Sequence, residues 1–445
     1  MFGFRKVRPP LTTLQRVDIE LLMRKTIEAI GITVVLQSDV VRGLSELRLD
    51  LSSPQRLLES ASHAVLQRMP MIGDPCQIVV VEDSQLGYPS TYQPGGNDSP
   101  ARIRIADQTL ADPLRTVMEL SYQYANHHWH TIADPTPLDI DPRTTNLLPI
   151  CCGLGVLASD ACLYDEQWSQ AGYVGWSISK SGYYTAIEIG YALALLSRAR
   201  GETDPNWARG LRPDSKVTAQ QAWRYFAAHE KAGGSLLFDA SKVPAAARDM
   251  NELAAWLRGD DRAFALAAGY ALAKIDELSP LVIEAAIHAT HDADIDIVPV
   301  ATRLLGAARR PTAAAEARVR ELIRHTSPQT SLAAIQSASD LGMPLADSGA
   351  KISKLLDVFA ADSFALVDVI GQQGKAFSFM GPKICEHIAR AIRELDDELV
   401  NALLDCLQRI VDDPPRLIET VIKSPEIRKE SLERLAATSQ NTFSS

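Results

Sequence analysis

The sequence predicts a mostly α-helical protein, with an α+β N-terminal part that holds a small sheet and an α-helical solenoid after it. Three observations predict this fold class. Apolar residues recur every three or four positions through most of the 445 residues, as they do in amphipathic helices. Only two short runs, residues 77–82 and 101–106, have the composition of strands. Beyond residue 245, amphipathic segments alternate with short turns.

Composition and charge exclude several classes of protein. Hydrophobic residues make up 46% of the chain and charged residues 22%, which is ordinary for globular proteins, and the length of 445 residues predicts two to three domains. The net charge of −10 and the lack of a basic stripe argue against a nucleic-acid partner. The longest apolar run, residues 147–159, is shorter than the ~20 residues that cross a bilayer, so no membrane partner is expected. The low density of the six cysteines, none of them in a C-x-x-C pair, and the absence of an apolar leader predict a cytoplasmic location.

The first part of the chain, residues 12–110, is predicted to combine helices with strands. Its first helix should end at Gly31, because glycine is a frequent helix stop. A strand is predicted at residues 77–82, followed by a loop over residues 84–100 that is rich in turn residues. A second strand is predicted at residues 101–106. Its small or apolar residues alternate with arginines, which predicts one wet face and a position at the sheet edge.

Residues 110–232 are predicted to be helical. Asp112 and Pro113 have the residue types of an N-cap and a first helical position, so a long helix should begin there. A very apolar second helix is predicted at residues 147–164, and a third at residues 182–202.

The remainder of the chain is predicted to be a linker, residues 233–244, and a HEAT-like array of helical hairpins, residues 245–440. The ends of the predicted second helices recur at intervals in the thirties of residues, which is a period of helical-hairpin solenoids. These helices are residues 296–308, 330–342, 363–374 and 398–411.

The order of these segments in residues 75–230 resembles an uncharacterised bacterial family of zinc-metallopeptidase-like proteins. The resemblance lies in a strand, a helix that opens with D-P-L-R at residues 112–115, an apolar helix that contains glycine, and a Y-A-L-A-L helix. Members of that family carry H-E-x-x-H on the first helix and E-x-x-x-D on a later one. The resemblance implies a zincin-like α+β core, in which two histidines and an acidic residue bind zinc and the glutamate after the first histidine activates water.

Aligned on that framework, every position of the zinc chemistry is substituted. Tyr122 and Asn126 stand at the two histidine positions, and Gln123 stands at the position of the base. The third-ligand position falls on Pro142, and its acidic partner on Asn146. Glutamine accepts no proton at neutral pH, and proline has no side-chain ligand atom. We therefore expect no catalytic residue, no bound metal and no cofactor, so that the domain at residues 12–232 would be a pseudoenzyme.

A vestigial cleft is expected at the substituted positions. Glu119, Tyr122, Gln123 and Asn126 follow one another at helical spacing, which forms a polar stripe on one face of an enclosed helix, and Asn146 belongs to the same cleft. Buried polar groups are hydrogen-bonded, so two interpretations remain. The stripe is either a structural network that replaced the metal, or a cleft for a peptide or small polar ligand.

The main hypothesis is a non-catalytic interaction protein that binds a protein or peptide through its repeats. Two other functions remain open. One is a metal-dependent hydrolase whose ligands moved one turn along the helix, to His127, His128 and His130. Three carboxylates lie near them in sequence, Asp134, Asp139 and Asp141. The simpler interpretation is that these histidines satisfy a helix end. The other function is a structural protein that assembles with copies of itself.

Overall fold

A computed structural model shows a mostly α-helical protein with a minor sheet, as the sequence predicts. The chain divides into two compact units, Met1–Val243 and Pro244–Ser445. The structure describes all residues except 1–6, 70–75, 83–85, 87, 97–98, 133–140, 171–172, 181, 240–248, 310, 360–363, 395 and 442–445, and only the backbone of 164–170, 173–180 and 438–441. Among the residues that it describes, no helix combines the length and apolar character needed to span a bilayer.

The first unit begins with three helices, α1 (Thr13–Ile30), α2 (Ile32–Gln37) and α3 (Pro54–Leu66). A capping box starts α1, in which the Thr12 side chain accepts from the Gln15 amide and the Gln15 side chain accepts from the Thr12 amide. The predicted stop of this helix at Gly31 is confirmed.

A three-stranded sheet follows, made of β1 (Gln77–Val81), β2 (Ser90–Gln93) and β3 (Arg102–Ala106) in the order β1-β3-β2. The two predicted strands are confirmed. The predicted edge position of residues 101–106 is wrong, because β3 pairs in parallel with β1 on one side and antiparallel with β2 on the other. The loop predicted over residues 84–100 also contains β2, a strand too short and polar to be detected by its composition.

The predicted long helix is α4 (Pro113–Thr131), and its Asp112 cap is confirmed by bonds from the next two free amides, of Leu114 and Arg115. The single helix predicted over residues 147–164 is wrong. The structure has α5 (Pro142–Pro149) and α6 (Gly155–Ala161), separated by a wider turn over Ile150–Leu154.

Gly153 causes this break. Its φ of +88° is not helical, and a Cβ atom there would lie 2.2 Å from the Asp39 carbonyl oxygen. The Gly153 carbonyl in turn accepts from the Val41 amide at 2.9 Å, so a backbone crossing determines where the helix stops.

The prediction that residues 110–232 are helical throughout is wrong at one place. A hairpin made of β4 (Leu163–Gln170) and β5 (Tyr173–Lys180) lies between α6 and α7 (Ala186–Ala199). The sequence of the hairpin is rich in aromatic residues, which favour strands. The helices α7 and α8 (Pro213–Lys231) complete the unit.

The segment that follows α8 packs on the first unit as far as it is described, up to residue 239. Leu236 belongs to the hydrophobic core of that unit, and Leu237 is fully buried. The buried carboxylate of Glu20 accepts the Leu237 amide at 2.8 Å and the Tyr191 hydroxyl at 2.6 Å. Residues 236 and 237 of the predicted linker are therefore buried in the first unit.

The second unit is built of helices that succeed one another with short turns. They are α9 (Met250–Arg258), α10 (Arg262–Leu272), α11 (Pro280–Ala289), α12 (Ile297–Gly306), α13 (Ala313–Ile323), α14 (Pro328–Asp340), α15 (Gly349–Val358), α16 (Phe364–Gln373), α17 (Gly381–Glu394), α18 (Asp397–Ile410), α19 (Pro414–Val421) and α20 (Pro425–Asn441).

These helices stack as hairpins. The second helices of successive hairpins pack in the series α10, α12, α14, α16, α18 and α20, each on the next. The four helices predicted at residues 296–308, 330–342, 363–374 and 398–411 are confirmed as α12, α14, α16 and α18. Gly306 permits one of the closest approaches, because a Cβ atom there would lie 2.6 Å from Ser337 Cα. Ser337 donates across the same contact to the Thr302 carbonyl at 2.9 Å.

Candidate functional site

The residues that the resemblance aligns with zinc-site positions lie where β2, α4 and α5 meet. The β2 residue Ser90 brings the first half of the polar stripe together. Its hydroxyl donates to the Glu119 carboxylate at 2.5 Å and accepts from the Gln123 amide nitrogen at 2.8 Å. One turn of α4 separates Glu119 and Gln123, so both side chains reach the same hydroxyl.

The bonds continue toward α5. Asn126 donates to the Gln123 side-chain oxygen at 2.9 Å, and Thr145 donates to the Asn126 side-chain oxygen at 3.2 Å. Five side chains thus form one hydrogen-bonded series, Glu119–Ser90–Gln123–Asn126–Thr145, which we call the polar chain. All of them except Asn126 are less than one-tenth exposed, so the series lies inside the protein.

The other two residues of the predicted cleft, Tyr122 and Asn146, are covered by the segment that follows β5. Asn146 accepts the Tyr183 amide at 2.7 Å. Gly182 has a φ of +77°, and a Cβ atom there would lie 2.8 Å from both the Asn146 oxygen and the Tyr122 hydroxyl. Pro142 is the first residue of α5, and its carbonyl accepts from the Asn146 side chain at 2.9 Å. The backbone of residues 182–183 therefore occupies the space next to these side chains.

The histidines one turn further along α4 do not converge. Tyr92 of β2 lies between two of them: its hydroxyl is 3.0 Å from His127 Nδ1, and its ring centre is 5.0 Å from that of His130. Burial raises the pKa of Tyr92 to about 12. His130 Nδ1 also lies 2.8 Å from the Asn126 carbonyl oxygen. His128 is buried in edge-to-face contact with Trp129.

The carboxylates suggested as partners of these histidines have different outcomes. Asp134 and Asp139 lie outside the described residues. Asp141 caps α5 and makes a two-pronged ion pair with Arg143, whose hydrogen bond lowers the pKa of that carboxyl below its ordinary value. Arg143 also reaches Asp18 of α1 at 3.2 Å. Within the part of the chain that the structure describes, no three His, Cys, Asp or Glu side chains are grouped to hold a metal ion.

Sequence reasoning found Glu119, Gln123 and Asn126 but missed the two residues that connect them to other elements. The sequence predicts a loop at Ser90, because β2 is short and polar. Thr145 is not among the predicted site residues, because the resemblance aligns Pro142 and Asn146 with the zinc-site positions. For Thr145, the only signal in the sequence is its place between the two candidate positions Pro142 and Asn146 on one helix.

No protein-family model matches the chain, and no curated protein is significantly similar to it. The resemblance to a metallopeptidase-like family therefore stays a prediction that rests on the order of the segments and on the residues quoted for it.

Proposed function

We propose that this protein is a non-catalytic scaffold of the cytoplasm. Its first unit would be a metallopeptidase-like core that has lost its zinc chemistry, and its second unit, a HEAT-like array, would bind a protein or peptide partner. The polar chain is the observation that carries the first half of this proposal. Side chains at the positions of the base and the second histidine are bonded to one another and to Ser90 and Thr145.

The chemistry of these groups supports an inactive site. A zinc hydrolase needs three protein ligands around a metal with one open position, and a base that takes a proton from water. Gln123 uses its amide nitrogen on Ser90 and its oxygen on Asn126, so both ends are occupied. A buried polar series with satisfied bonds stabilises one arrangement of β2, α4 and α5, which is the work of a structural network.

The second half of the proposal rests on exposed apolar side chains of the helical hairpins. Val358 and Phe364 stand at the adjoining ends of α15 and α16 and are 61% and 41% exposed. Phe379, just before α17, is 54% exposed. Large apolar groups in water favour association with a partner. Because successive hairpins repeat the same packing, the stack offers a continuous surface to that partner.

Metal content tests the first half. The protein is purified without chelator and without a metal-affinity tag, incubated with zinc and desalted, and its zinc is measured by elemental analysis. We expect fewer than about one zinc per ten chains. The matched variant His127→Ala/His130→Ala should give the same value. Near-stoichiometric zinc that this variant loses would overturn the proposal and favour the hydrolase with relocated ligands.

Partner capture tests the second half. The full-length protein is cross-linked in lysate of the organism in which it occurs, and bound proteins are identified by mass spectrometry. We expect Val358→Glu/Phe364→Glu to lose a partner that the wild type and Leu51→Glu both retain, since Leu51 is an exposed apolar residue of the first unit. Light scattering at several concentrations separates this outcome from self-assembly, in which the mass would rise with concentration.

A further inference from the structure

Among the residues that the structure describes, no strand pairs with the outer side of β1. Within the described part of the chain, β1 pairs only with β3, in the order β1-β3-β2. Gln77 is in register with Arg102 and donates to the Ala101 carbonyl at 2.9 Å. In a parallel ladder, every second residue directs both its amide and its carbonyl toward the neighbouring strand. Gln77 does so toward β3, and the amide and carbonyl groups of Ile78 and Val80 therefore point away from β3.

The five residues of β1 carry none of the sequence features that natural proteins use to protect an exposed edge. Exposed edges are commonly blocked by lysine, proline, a bulge or a very short strand. β1 has the sequence Gln-Ile-Val-Val-Val over five residues, with no charge and no proline. Val80 lies on the same face as its register partner Ile105, which is fully buried, yet Val80 itself is 41% exposed. The layer that covers this face of the sheet therefore stops short of the edge.

A groove of about 700 Å³ runs beside the edge, between β1 and helix α3. Its volume falls within the range of ~300–1,000 Å³ that is usual for ligand sites. The floor and wall combine apolar and polar groups: Leu58 and Leu66 of α3, Ser62 and His63 between them, and Ile78 and Val80 of β1. Leu66 is 37% exposed at one end. An added strand would thus meet the backbone groups of Ile78 and Val80 that do not pair with β3, and its own side chains would lie over the apolar side chains of the groove.

We propose that β1 binds an extended peptide as a fourth strand of the sheet. The peptide would pair with the amides and carbonyls of Ile78 and Val80 and place every second side chain, of an apolar type, in the groove beside Leu58 and Leu66. A single extended segment suits the site better than the sheet edge of a second copy. Two joined β1 strands would bring both α3 helices over the same face, where they would compete for the groove that each lines.

The test begins with selection on the full-length protein. Random dodecapeptides displayed on phage are enriched on it, and the enriched peptides are synthesised and measured by fluorescence anisotropy. We expect sequences in which apolar and polar residues alternate. In hydrogen exchange followed by NMR, a bound peptide should slow exchange of the Ile78 and Val80 amides.

Two variants and one control complete the test. Val80→Pro removes a donor that does not pair with β3 and should weaken binding about five- to tenfold. Leu66→Arg leaves the backbone unchanged and fills the groove, and should weaken binding at least as much. Leu51→Arg, at an exposed apolar residue outside the groove, should bind like wild type. Circular dichroism confirms that each variant is folded.

The proposal is overturned if no alternating sequence is enriched, or if enriched peptides bind Val80→Pro and Leu66→Arg as they bind wild type. It does not rest on the proposed function. Loss of partners from the Val358 and Phe364 variant would leave binding at β1 unchanged, and loss of peptide binding at β1 would leave those partners bound.

Discussion

Ser90 connects two side chains of α4 to a strand that lies 29 residues earlier than the first of them. Its hydroxyl is at once a donor to Glu119 and an acceptor from Gln123. A hydroxyl suits this position because it combines one donor with two acceptor sites, whereas an ionised carboxylate could only accept. The polar chain therefore depends on this one residue to reach β2.

Replacing Ser90 should destabilise the protein more than replacing its neighbour Thr91. Ser90→Ala removes both bonds of a buried hydroxyl, which should lower the free energy of unfolding by about 2 kcal/mol. Thr91→Ala removes a hydroxyl from the next residue of the same strand, and should cost less than about 1 kcal/mol. Urea denaturation measures both. Equal losses would mean that the polar chain adds no stability beyond that of any strand residue.

Glu20 is a second buried polar residue, fully enclosed in the first unit. It accepts from the Tyr191 hydroxyl and from the Leu237 amide, and Arg16 lies 3.5 Å away. Burial raises the pKa of its carboxyl above the ordinary 4.5, and the Arg16 charge only partly offsets that effect. The folded protein therefore keeps this proton to a higher pH than the unfolded chain does.

This difference predicts how stability depends on pH. Above pH 4.5 the folded state binds more protons at Glu20 than the unfolded state, so the contribution of this group to the free energy of unfolding falls as pH rises through the folded pKa. Glu20→Gln cannot ionise and should lack this slope. In urea denaturation at a series of pH values from 4.5 upward, the stability of wild type minus that of the variant should decrease.

Glu28→Gln on the same helix controls for the loss of an acidic residue, since Glu28 is exposed and paired with Arg24. A difference between wild type and Glu20→Gln that stays constant, or that grows with pH, would contradict the predicted direction.

At the scale of elements, the sequence predicts the start or end of a helix well where the cause lies within one turn of that position. Asp112 begins α4 and Gly31 ends α1 because a cap or a positive φ acts within one turn. The break at Gly153 was missed because its cause, the Asp39 carbonyl, lies more than a hundred residues away. β2 was missed for the same reason: its place in the sheet depends on pairing with β3, which composition alone does not encode.

The same distinction explains the candidate site. Helical spacing alone put Glu119, Gln123 and Asn126 on one face, and the structure bonds them in that order. Their partners Ser90 and Thr145 belong to other elements, so helical spacing along α4 cannot predict them. The Tyr183 backbone that covers Asn146 comes directly after a hairpin, in a part of the chain that the sequence predicts to be helical.

The break between α5 and α6 can be tested with two glycines that share a positive φ. Gly153→Ala places a methyl group against the Asp39 carbonyl as well as straining the backbone, and should cost more than about 3 kcal/mol of unfolding free energy. Gly201→Ala has a similar φ of +70° but nothing within 4 Å of the new atom, and should cost about 1 kcal/mol. Thermal denaturation compares the two. Similar losses of unfolding free energy would show that the backbone at Asp39 moves aside at little cost.

At the scale of the whole molecule, the first unit has a hydrophobic core of its own. The residues of that core run from Leu11 to Leu236, and every one of them belongs to Met1–Val243. The second unit is held differently, by helices that each pack on the next hairpin along the chain. A closed core and a stack of neighbours lose their contacts by different routes, because contacts in a stack are mainly between sequence neighbours.

This organisation predicts two thermal transitions in differential scanning calorimetry rather than one. Gly153→Ala changes the core of the first unit and should lower the temperature of one transition. Leu403→Ala removes a fully buried side chain of α18, should cost about 3 kcal/mol, and should lower the temperature of the other. Each variant serves as the control for the other. A single transition that both substitutions shift would show that the two units unfold cooperatively, and the division into separate cores would then have no thermodynamic meaning.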